Sequence, residues 1–315
     1  MKLMDVTLRE SVYYGSGIDY KEAIDYLKRI DSFITPDEVE YIEICYINTN
    51  IEGHLNYNGD YIKEAYNICR QKYKLVGMMH PGNVDLNKLD SEAIKLFSMI
   101  RIVCGESFIP DSVAEYIKYF HALGVEVAVN ISFALRKTME QNEVLCKRCL
   151  EMGADCVYFA DSSGSAYNDE IDQLCSILKK YKRDNVKIGF HLHDHLSLSF
   201  SNALRIYENG IDFTDVSITG AGRGGGNLKT ELIVPFLKNK SGEGVSKDLL
   251  YRLLSYIEYF NVLVRRDGSI YSKLFLDTLS GIYRLGLKQQ EELEREASGN
   301  GYKYINLVLE EVERK

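Results

Sequence analysis

Short apolar runs alternate with amphipathic segments along the first 240 residues of the chain. Runs of this length, rich in Val, Ile and Tyr, are typical of buried strands. They predict strands at Leu3–Leu8, Val39–Ile47, Leu75–Met79, Met99–Val103, Val125–Ser132, Cys156–Ala160, Val186–His191 and Phe213–Ile218. Apolar residues three or four positions apart predict helices at Tyr20–Ile30, Asp60–Lys72, Leu89–Phe97, Pro110–Leu123, Gln141–Met152, Asp169–Tyr181, Leu198–Glu208 and Leu228–Leu237.

The regular alternation of strand and helix predicts an α/β fold with a parallel sheet. Eight such units with short connections favour a closed (β/α)8 TIM barrel over residues 1–240, and a doubly wound open sheet is the alternative. In such a barrel the catalytic residues lie at the carboxyl ends of the strands. The polar residues that follow each apolar run are therefore the first candidates for function.

The pattern changes after residue 240, where Ser241–Gly244 has the composition of a linker. Amphipathic helices are predicted at Leu249–Val264, Lys273–Leu287 and Tyr304–Val312, and Gln289–Glu296 is a polar, Glu-rich stretch. We therefore expect a small helical C-terminal region over residues 241–315.

Two histidines, His191 and His193, stand at the end of the seventh predicted strand. Side chains on a strand alternate between its faces, so the two imidazoles are expected on the same side, a few ångströms apart. Neutral imidazole is a common ligand of divalent metals, which makes the pair a candidate for part of a metal site. Two packed or two exposed histidines are the alternative at this point.

A carboxylate from another strand end would strengthen the metal hypothesis. Arg9 and Glu10 end the first predicted strand, where Asp5 and Arg9 are expected to share one side and the following loop can turn Glu10 inward. Glu10 could then join the histidines. Taken alone, an Arg-Glu pair is more often a surface ion pair.

Composition narrows the functional class. The chain has 315 residues, 45% of them hydrophobic, and a net charge of -8, which argues against a general binder of nucleic acids. Seven scattered Cys residues indicate reduced thiols in a cytoplasmic protein, and Cys146-x-x-Cys149 lies in a predicted helix with no second pair to form a zinc site. No leader and no apolar run near 18 residues is visible, so we expect no membrane association.

Three motifs resemble those of one superfamily. Asp5–Glu10 reads D-V-T-L-R-E and closely resembles the opening D-x-T-L-R-[D/E] motif of the metal-dependent pyruvate aldolase and acyl-CoA lyase/synthase superfamily (HMG-CoA lyase-like). His191–Asp194 with Ser201–Ala203 resembles its H-x-H-[N/D]…A-N-[S/A] signature, and Gly220–Asn227 resembles its glycine-rich loop after strand eight. The group includes 4-hydroxy-2-oxovalerate aldolase, 3-hydroxy-3-methylglutaryl-CoA lyase, isopropylmalate synthase and homocitrate synthase. The resemblance covers roughly residues 1–240.

The resemblance implies a ligand set for a divalent metal. Glu10, His191 and His193 would bind the ion, and Asn227 is a fourth or outer ligand. Aspartate is usual at the first position, but some homocitrate synthases use Glu. Mn²⁺ is the first expectation, with Mg²⁺, Co²⁺ and Zn²⁺ as alternatives.

The resemblance also implies substrate contacts. Arg9 would face the oxygen of a developing enolate, and Ser162 would hold the carboxylate of a 2-oxo acid. Arg223 in the glycine-rich loop and His80 after strand three are further candidates for substrate binding.

Two tyrosines bear on proton transfer in the aldolase branch of this superfamily. That branch places a histidine three residues after the metal carboxylate, where this chain has Tyr13, which either takes that role or shapes the pocket. The branch also brings a tyrosine over the barrel mouth, and Ser280–Tyr283 resembles its A-G-V-Y stretch, so Tyr283 is a second catalytic candidate.

The branch itself can be argued from what the chain lacks. The condensing synthases carry a glutamate after strand five, but Asn130–Leu135 contains none, and Arg223 is not preceded by Gly-Glu. We therefore expect an aldolase that cleaves or forms a 4-hydroxy-2-oxo acid through a metal-stabilised pyruvate enolate. The alternatives are an acyl-CoA-dependent Claisen enzyme and a non-catalytic binding barrel. Expected partners are a 2-oxo acid and an aldehyde, a second copy of the chain in a homo-oligomer, and an aldehyde dehydrogenase.

Overall fold

Eight parallel strands close into a barrel in sequence order, with the first strand paired to both the second and the eighth. The computed structural model describes residues 1–13, 18–49, 55–105, 109–264, 275–276, 279 and 287–313. The strands are β1 Lys2–Asp5, β2 Tyr41–Tyr46, β3 Lys74–Met79, β4 Met99–Cys104, β5 Glu126–Ile131, β6 Cys156–Asp161, β7 Lys187–Leu192 and β8 Phe213–Val216. The predicted TIM barrel is confirmed.

Helices follow the strands and cover the outside of the barrel. In chain order they are α1 Thr7–Glu10, α2 Tyr20–Arg29, α3 Gly59–Cys69, α4 Ser91–Ile94, α5 Ser112–Ala122, α6 Met139–Glu151, α7 Asn168–Tyr181, α8 Ser199–Glu208, α9 Thr230–Lys240, α10 Lys247–Leu263, α11 Leu287–Ala297 and α12 Gly301–Glu313. Short 3₁₀ turns at Ser11–Tyr13, Ile30–Ser32, Leu86–Lys88, Ala134–Arg136 and Ile218–Gly220 complete the described elements.

The first strand is shorter than predicted. It ends at Asp5, whose carboxylate accepts the backbone N–H of Thr7 at 2.8 Å, and Thr7–Glu10 forms a helical turn instead of extended chain. A side chain that accepts a backbone N–H two residues on is a turn-forming device that competes with the strand. The expectation that Asp5 and Arg9 share one side is therefore wrong. Asp5 points outward to Tyr256 of α10, and Arg9 points into the barrel mouth.

The barrel interior is filled in layers by alternate strands, as in other TIM barrels. The lowest layer comes from the even strands and consists of Tyr41, Met99, Cys156 and Phe213. Odd strands add Met4, Val76, Ala128 and Gly189 above it. The next even layer is Glu43, Arg101, Tyr158 and Asp215, all of them fully or almost fully buried. Three of these four side chains carry a charge.

Helix α10 belongs to the same apolar core as the barrel helices, through residues such as Leu250 and Ile257. The hydroxyl of Tyr256 donates to the Asp5 carboxylate at 3.1 Å, which ties this helix to the end of β1. The division at residue 240 stays a prediction. Most of the predicted helix Lys273–Leu287 lies outside the described residues, and the polar stretch Gln289–Glu296 lies within α11.

Across the described ranges, none of the helices combines the length and the apolar character needed to span a bilayer.

Candidate active site

A cavity of about 210 Å³ opens at the carboxyl ends of the strands. Eight of the ten predicted site residues line it: Arg9, Glu10, Tyr13, His80, Ser162, His191, His193 and Arg223. Asn227 is not among the lining residues but pairs through the backbone with His193, which is, and Tyr283 lies outside the described residues. The strand ends thus bring together side chains that are up to 214 positions apart in the sequence.

The two histidines face each other at the end of β7. Their ring centroids are 4.8 Å apart and the rings are nearly perpendicular, at 89°. His191 Nδ1 lies 2.7 Å from Asp215 Oδ2, and His193 Nδ1 lies 3.2 Å from the carbonyl oxygen of Gly226. Both partners can only accept, so each imidazole donates through Nδ1–H. In the neutral rings this leaves both Nε2 atoms as acceptors or metal ligands.

Electrostatics keep the second imidazole neutral. Burial, followed by the neighbouring His191, lowers the pKa of His193 to about 2. The positive charges of Arg223 and Arg9 act in the same direction. A neutral ring with its Nδ1 proton already committed is the form that binds a cation.

Glu10 and Arg9 form a buried pair that also lines the cavity. Arg9 Nη1 donates to Glu10 Oε1, and Arg9 Nε donates to Glu43 Oε2 at 2.7 Å. Burial opposes the charge of Arg9, but the carboxylates of Glu10 and Glu43 raise its pKa well above the usual value. Glu10 Oε2 and Arg9 Nη2 are buried and have no hydrogen-bond partner among the described residues.

The three predicted ligands line one cavity without forming a closed cluster. Within the described part of the chain, no three His, Cys, Asp or Glu side chains stand close enough together to hold a metal ion. Glu10 Oε1 accepts from Arg9 Nη1. The donor set still fits a divalent cation, because two imidazole Nε2 atoms and the unpartnered Glu10 Oε2 are left over on the same cavity.

Ser162 is oriented by the chain that follows strand five. Its hydroxyl oxygen accepts the backbone N–H of Phe133 at 2.9 Å, so the hydroxyl proton remains available to a ligand. Phe133 has a left-handed backbone with φ 52°, which directs this N–H toward β6. The Arg223 guanidinium lies 5.9 Å from the Phe133 ring centroid, so a cation and a hydroxyl donor border the same side of the cavity.

Tyr13, Tyr46 and His80 form an aromatic wall. The hydroxyl oxygens of Tyr13 and Tyr46 are 3.4 Å apart, and Tyr46 stacks on His80 with centroids 5.5 Å apart. The Arg9 guanidinium lies 5.6 Å from the Tyr46 ring. Burial and Arg9 lower the pKa of His80, and its Nδ1 is buried without a partner in the described structure. Tyr13 is half exposed and closes the outer edge of this wall.

The glycine-rich loop packs against the end of β7. Asn227 pairs with His193 through the backbone, and its side-chain Nδ2 donates to the carbonyl of Ala221 at 2.9 Å. Asn227 Oδ1 is buried and has no partner among the described residues, as a residue next to a metal site would leave it. A Cβ at Gly224 would lie 2.2 Å from His195 Nε2, so only glycine lets the loop approach this ring.

Several residues in or beneath the cavity are not among the site residues predicted from the sequence. Asn130 lines the cavity with an unpartnered Oδ1, and Glu43, Arg101 and Asp215 lie directly beneath it. A signal for these three was present, because each is the only charged residue of its strand. Without the strand register, the sequence does not indicate that they meet.

Comparison with known proteins identifies the family of the chain. A model of the HMGL-like family matches residues 89–256. The chain is 26% identical over 311 residues to a 4-hydroxy-2-oxovalerate aldolase of Geobacillus thermodenitrificans, across 92% of this chain and 88% of the relative.

Solved structures give the same fold. The N-terminal domain of a candidate aldolase from Bacteroides vulgatus has a TM-score of 0.71 and 28% identity, covering 84% of this chain and 89% of that one. An HMG-CoA lyase from Acinetobacter baumannii, solved with coenzyme A and 3-methylmalate, has a TM-score of 0.65 over 85% of this chain and 92% of that one. At 13% identity, the second likeness concerns the fold alone.

Proposed function

The chain belongs to the HMGL-like family and is a carbon–carbon lyase, and from this premise we propose that it cleaves a 4-hydroxy-2-oxo acid into pyruvate and an aldehyde. The observation that carries the proposal is the convergence of His191 and His193, each with Nδ1 committed, on the cavity that also holds Glu10 and Arg9. Relatives named 4-hydroxy-2-oxovalerate aldolase support the choice of substrate class.

A divalent cation is part of the proposal. Glu10, His191 and His193 would hold it, and Asn227 with its unpartnered Oδ1 is the fourth candidate. A cation held there would supply Lewis acidity at the 2-oxo group. We propose Mn²⁺, because two imidazoles with oxygen donors suit it, and Mg²⁺, Co²⁺ and Zn²⁺ are the competitors in the test.

Arg9 provides fixed positive charge where the reaction develops negative charge. When the bond between C3 and C4 breaks, its electron pair moves toward the 2-oxo oxygen and forms an enolate. Arg9 has an unpartnered Nη2 at the cavity and is held in place by Glu43. A donor that is already oriented needs no reorganisation during the reaction, which is the basis of electrostatic catalysis.

The carboxylate end and the aldehyde half of the substrate are assigned to different sides of the cavity. Ser162 retains a hydroxyl proton for the carboxylate of the 2-oxo acid, and Arg223 adds a positive charge on the same side. His80 is neutral and stacked on Tyr46. We assign it to contact with the aldehyde half of the substrate.

We assign proton transfer to Tyr13. Cleavage needs a group that takes the proton of the C4 hydroxyl, and the resulting enolate takes up a proton at C3 to give pyruvate. Tyr13 lines the cavity at the position where the aldolase branch carries histidine, and its hydroxyl contacts that of Tyr46. Tyr283 stays a second candidate from sequence.

We also propose that the chain forms a homo-oligomer. We further propose an aldehyde dehydrogenase as a partner, because the second product is a reactive aldehyde. Light scattering on the purified chain measures the oligomeric state directly. Co-purification with the dehydrogenase, at matched ionic strength, tests the second.

The decisive experiment compares two products. The purified chain is stripped with a chelator, reloaded with Mn²⁺, Mg²⁺, Co²⁺ or Zn²⁺, and given a series of 4-hydroxy-2-oxo acids while pyruvate is followed with lactate dehydrogenase. A parallel assay offers acetyl-CoA with 2-oxo acids and follows free thiol. We expect metal-dependent pyruvate release and no thiol. Thiol release without pyruvate would replace the aldolase with a Claisen enzyme, and neither product with any metal would contradict both.

A further inference from the structure

Five side chains of alternating charge and one histidine form a continuous hydrogen-bonded line through the upper barrel. In order they are Glu10, Arg9, Glu43, Arg101, Asp215 and His191. Arg9 Nε donates to Glu43 Oε2 at 2.7 Å, and Arg101 Nη1 donates to Glu43 Oε1 at 3.3 Å. Arg101 Nη2 donates to Asp215 Oδ2 at 2.5 Å, the same oxygen that accepts His191 Nδ1. The line therefore begins at one proposed metal ligand and ends at another.

The middle of this line is sealed from water. Glu43 and Arg101 are 0% exposed, and Asp215 is 1% exposed. They stand on β2, β4 and β8 in one interior layer, whose fourth member, Tyr158, stacks its ring 4.5 Å from the Arg101 guanidinium carbon. Bulky apolar residues normally fill such a layer, and the layers beneath it in this barrel are largely apolar.

Stability does not explain this layer. Taking charges out of water costs more than their mutual attraction usually returns, and apolar replacements of equal size are often as stable or more so. A buried ionic chain at this depth needs another reason. The buried charged residues lie directly below the cavity and are hydrogen-bonded to Arg9 and His191 in its lining, which indicates that they serve the site.

We propose that Arg101 is a positioning residue that holds the two sides of the metal site in one arrangement. Through Asp215 it fixes the ring and the tautomer of His191, and through Glu43 it fixes Arg9 beside Glu10. This inference rests on the proposed metal site and adds the residues that hold its ligands from below.

Two further observations agree with this role. Burial opposes the charges of Arg101 and Asp215. The Asp215 carboxylate nevertheless raises the pKa of Arg101 above its usual value, and the Arg101 guanidinium lowers the pKa of Asp215 below its usual value. The three carboxylates of the line face only two guanidinium groups, so one negative charge is left for a cation at the cavity. Hydrogen-bonded carboxylates behind a metal histidine commonly set its orientation and basicity.

The test measures metal affinity apart from stability and turnover. Mn²⁺ binding is measured by calorimetry on the chelator-stripped chain, and the unfolding temperature of the metal-free form is recorded in parallel. Arg101→Met removes the charge and keeps most of the volume, and we expect Mn²⁺ to bind about 10–100-fold more weakly. Arg101→Lys, which restores one positive charge, should recover part of that loss.

Lys187→Met is the matched control. Lys187 is a cation at the opposite end of β7, the strand that carries His191, and it pairs there with Glu126 at 2.6 Å. Breaking this pair should leave Mn²⁺ affinity unchanged. Loss of affinity in the control as large as in Arg101→Met would overturn the specific role of Arg101.

Asp215→Asn tests the coupling. It keeps the shape of the side chain but removes the charge between Arg101 and His191, and alone it should also weaken Mn²⁺ binding. If Arg101 acts through Asp215, the double variant Arg101→Met/Asp215→Asn should bind only slightly more weakly than the worse single variant. Fully additive losses would overturn the relay.

The remaining outcomes distinguish failure of this inference from failure of the proposed function. An Arg101→Met chain that unfolds at a lower temperature but binds Mn²⁺ like the wild type shows a structural role only and overturns the inference, while the proposed function stands. A wild-type chain that binds no Mn²⁺ overturns both. If Arg101→Met does not fold, the isosteric pair Asp215→Asn and Glu43→Gln decides the same question, and unchanged affinity in both is the contradicting result.

Discussion

His191 donates its Nδ1 proton to the carboxylate of Asp215 across 2.7 Å, from the end of one barrel strand to the middle of the next. The contact determines the tautomer of the imidazole, because an ionised carboxylate can only accept. The Nε2 atom is then the acceptor on the cavity side. His191, at the end of β7, thus acquires its orientation from a residue 24 positions away in the sequence.

Replacing a proposed metal ligand should remove metal and activity together. In His191→Gln and Glu10→Gln the side chain keeps its approximate size but loses the imidazole or the charge that a divalent cation needs. We expect the metal content, measured by elemental analysis after dialysis, to fall below a tenth of the wild-type value, with pyruvate release lost in parallel.

His121→Gln is the control for this experiment. His121 lies on α5, is exposed, and contacts Asp155 at 2.8 Å, far from the cavity lining. It should keep both metal and activity. A Glu10→Gln chain that retained stoichiometric metal would remove Glu10 from the ligand set.

Tyr13→Phe should separate proton transfer from enolate formation. Removing the hydroxyl should slow pyruvate release from a 4-hydroxy-2-oxo acid by about 100-fold, the usual scale for a proton-transfer group. Metal-dependent decarboxylation of oxaloacetate forms the same enolate without a hydroxyl proton to remove, so its rate should stay near that of the wild type. Tyr167→Phe, at a 62% exposed tyrosine, is the control. Equal losses in both reactions, or none in either, would exclude Tyr13 as the proton carrier.

Much of the barrel could be predicted because its signal is local. Apolar runs and helical periodicity depend only on neighbouring residues, and the predicted bounds of seven of the eight strands lie within two residues of the observed ones. The error at β1 also has a local cause, since the apolar pattern continues through Val6 and Leu8 while the Asp5 side chain captures the N–H of Thr7. A side-chain hydrogen bond overrides periodicity there.

The residues beneath the site could not be predicted in the same way. Each of Glu43, Arg101 and Asp215 is the only charged residue of its strand, but whether the three meet depends on the stagger between strands. That stagger is set by the packing of the whole barrel and leaves no local trace in the sequence. Motifs at strand ends were recognisable because the fold itself brings strand ends together.

Ser162→Ala should weaken substrate binding more than it slows the chemistry. The hydroxyl accepts the Phe133 N–H at 2.9 Å and offers its own proton to the substrate carboxylate. Its loss should raise KM about tenfold, the value of one hydrogen bond to a charged group, while kcat changes little. Ser176→Ala, at an exposed helix serine, should leave both constants unchanged. A fall in kcat with constant KM would move Ser162 from substrate binding to the chemical step.

Glu231→Gln should make the protein more stable at alkaline pH and change little at acid pH. Burial raises the pKa of Glu231 from 4.5 to about 7, so the folded state favours the protonated form. Its stabilising contribution is therefore complete below pH 4.5 and lost as the pH rises through 7. Gln is neutral at every pH and can still accept the Thr219 N–H. The free energy of unfolding of the variant, relative to that of the wild type, should therefore rise by at most about 3 kcal/mol between pH 5 and pH 8.

Urea unfolding at four pH values measures this difference directly. Asp5, whose pKa burial raises to about 6, titrates in the same window but is present in both proteins and cancels. Glu115→Gln, at an exposed position of α5, supplies the control for removal of a charge. A stability difference between Glu231→Gln and wild type that does not change with pH would contradict the prediction.

Gly189→Ala should destabilise the barrel from inside. A Cβ at Gly189 would lie 2.4 Å from Cζ of Tyr158, and the tyrosine ring cannot retreat because the Arg101 guanidinium carbon lies 4.5 Å from its centroid and Phe213 stacks at 6.3 Å. Overpacking of a closed core costs about 1–3 kcal/mol, and we expect a loss of about 2 kcal/mol or more in urea unfolding. Gly105→Ala, where a Cβ meets nothing within 4 Å, should be nearly neutral. Equal stability of the two variants would show that the charged layer around Tyr158 accommodates an added methyl group, which would contradict this prediction.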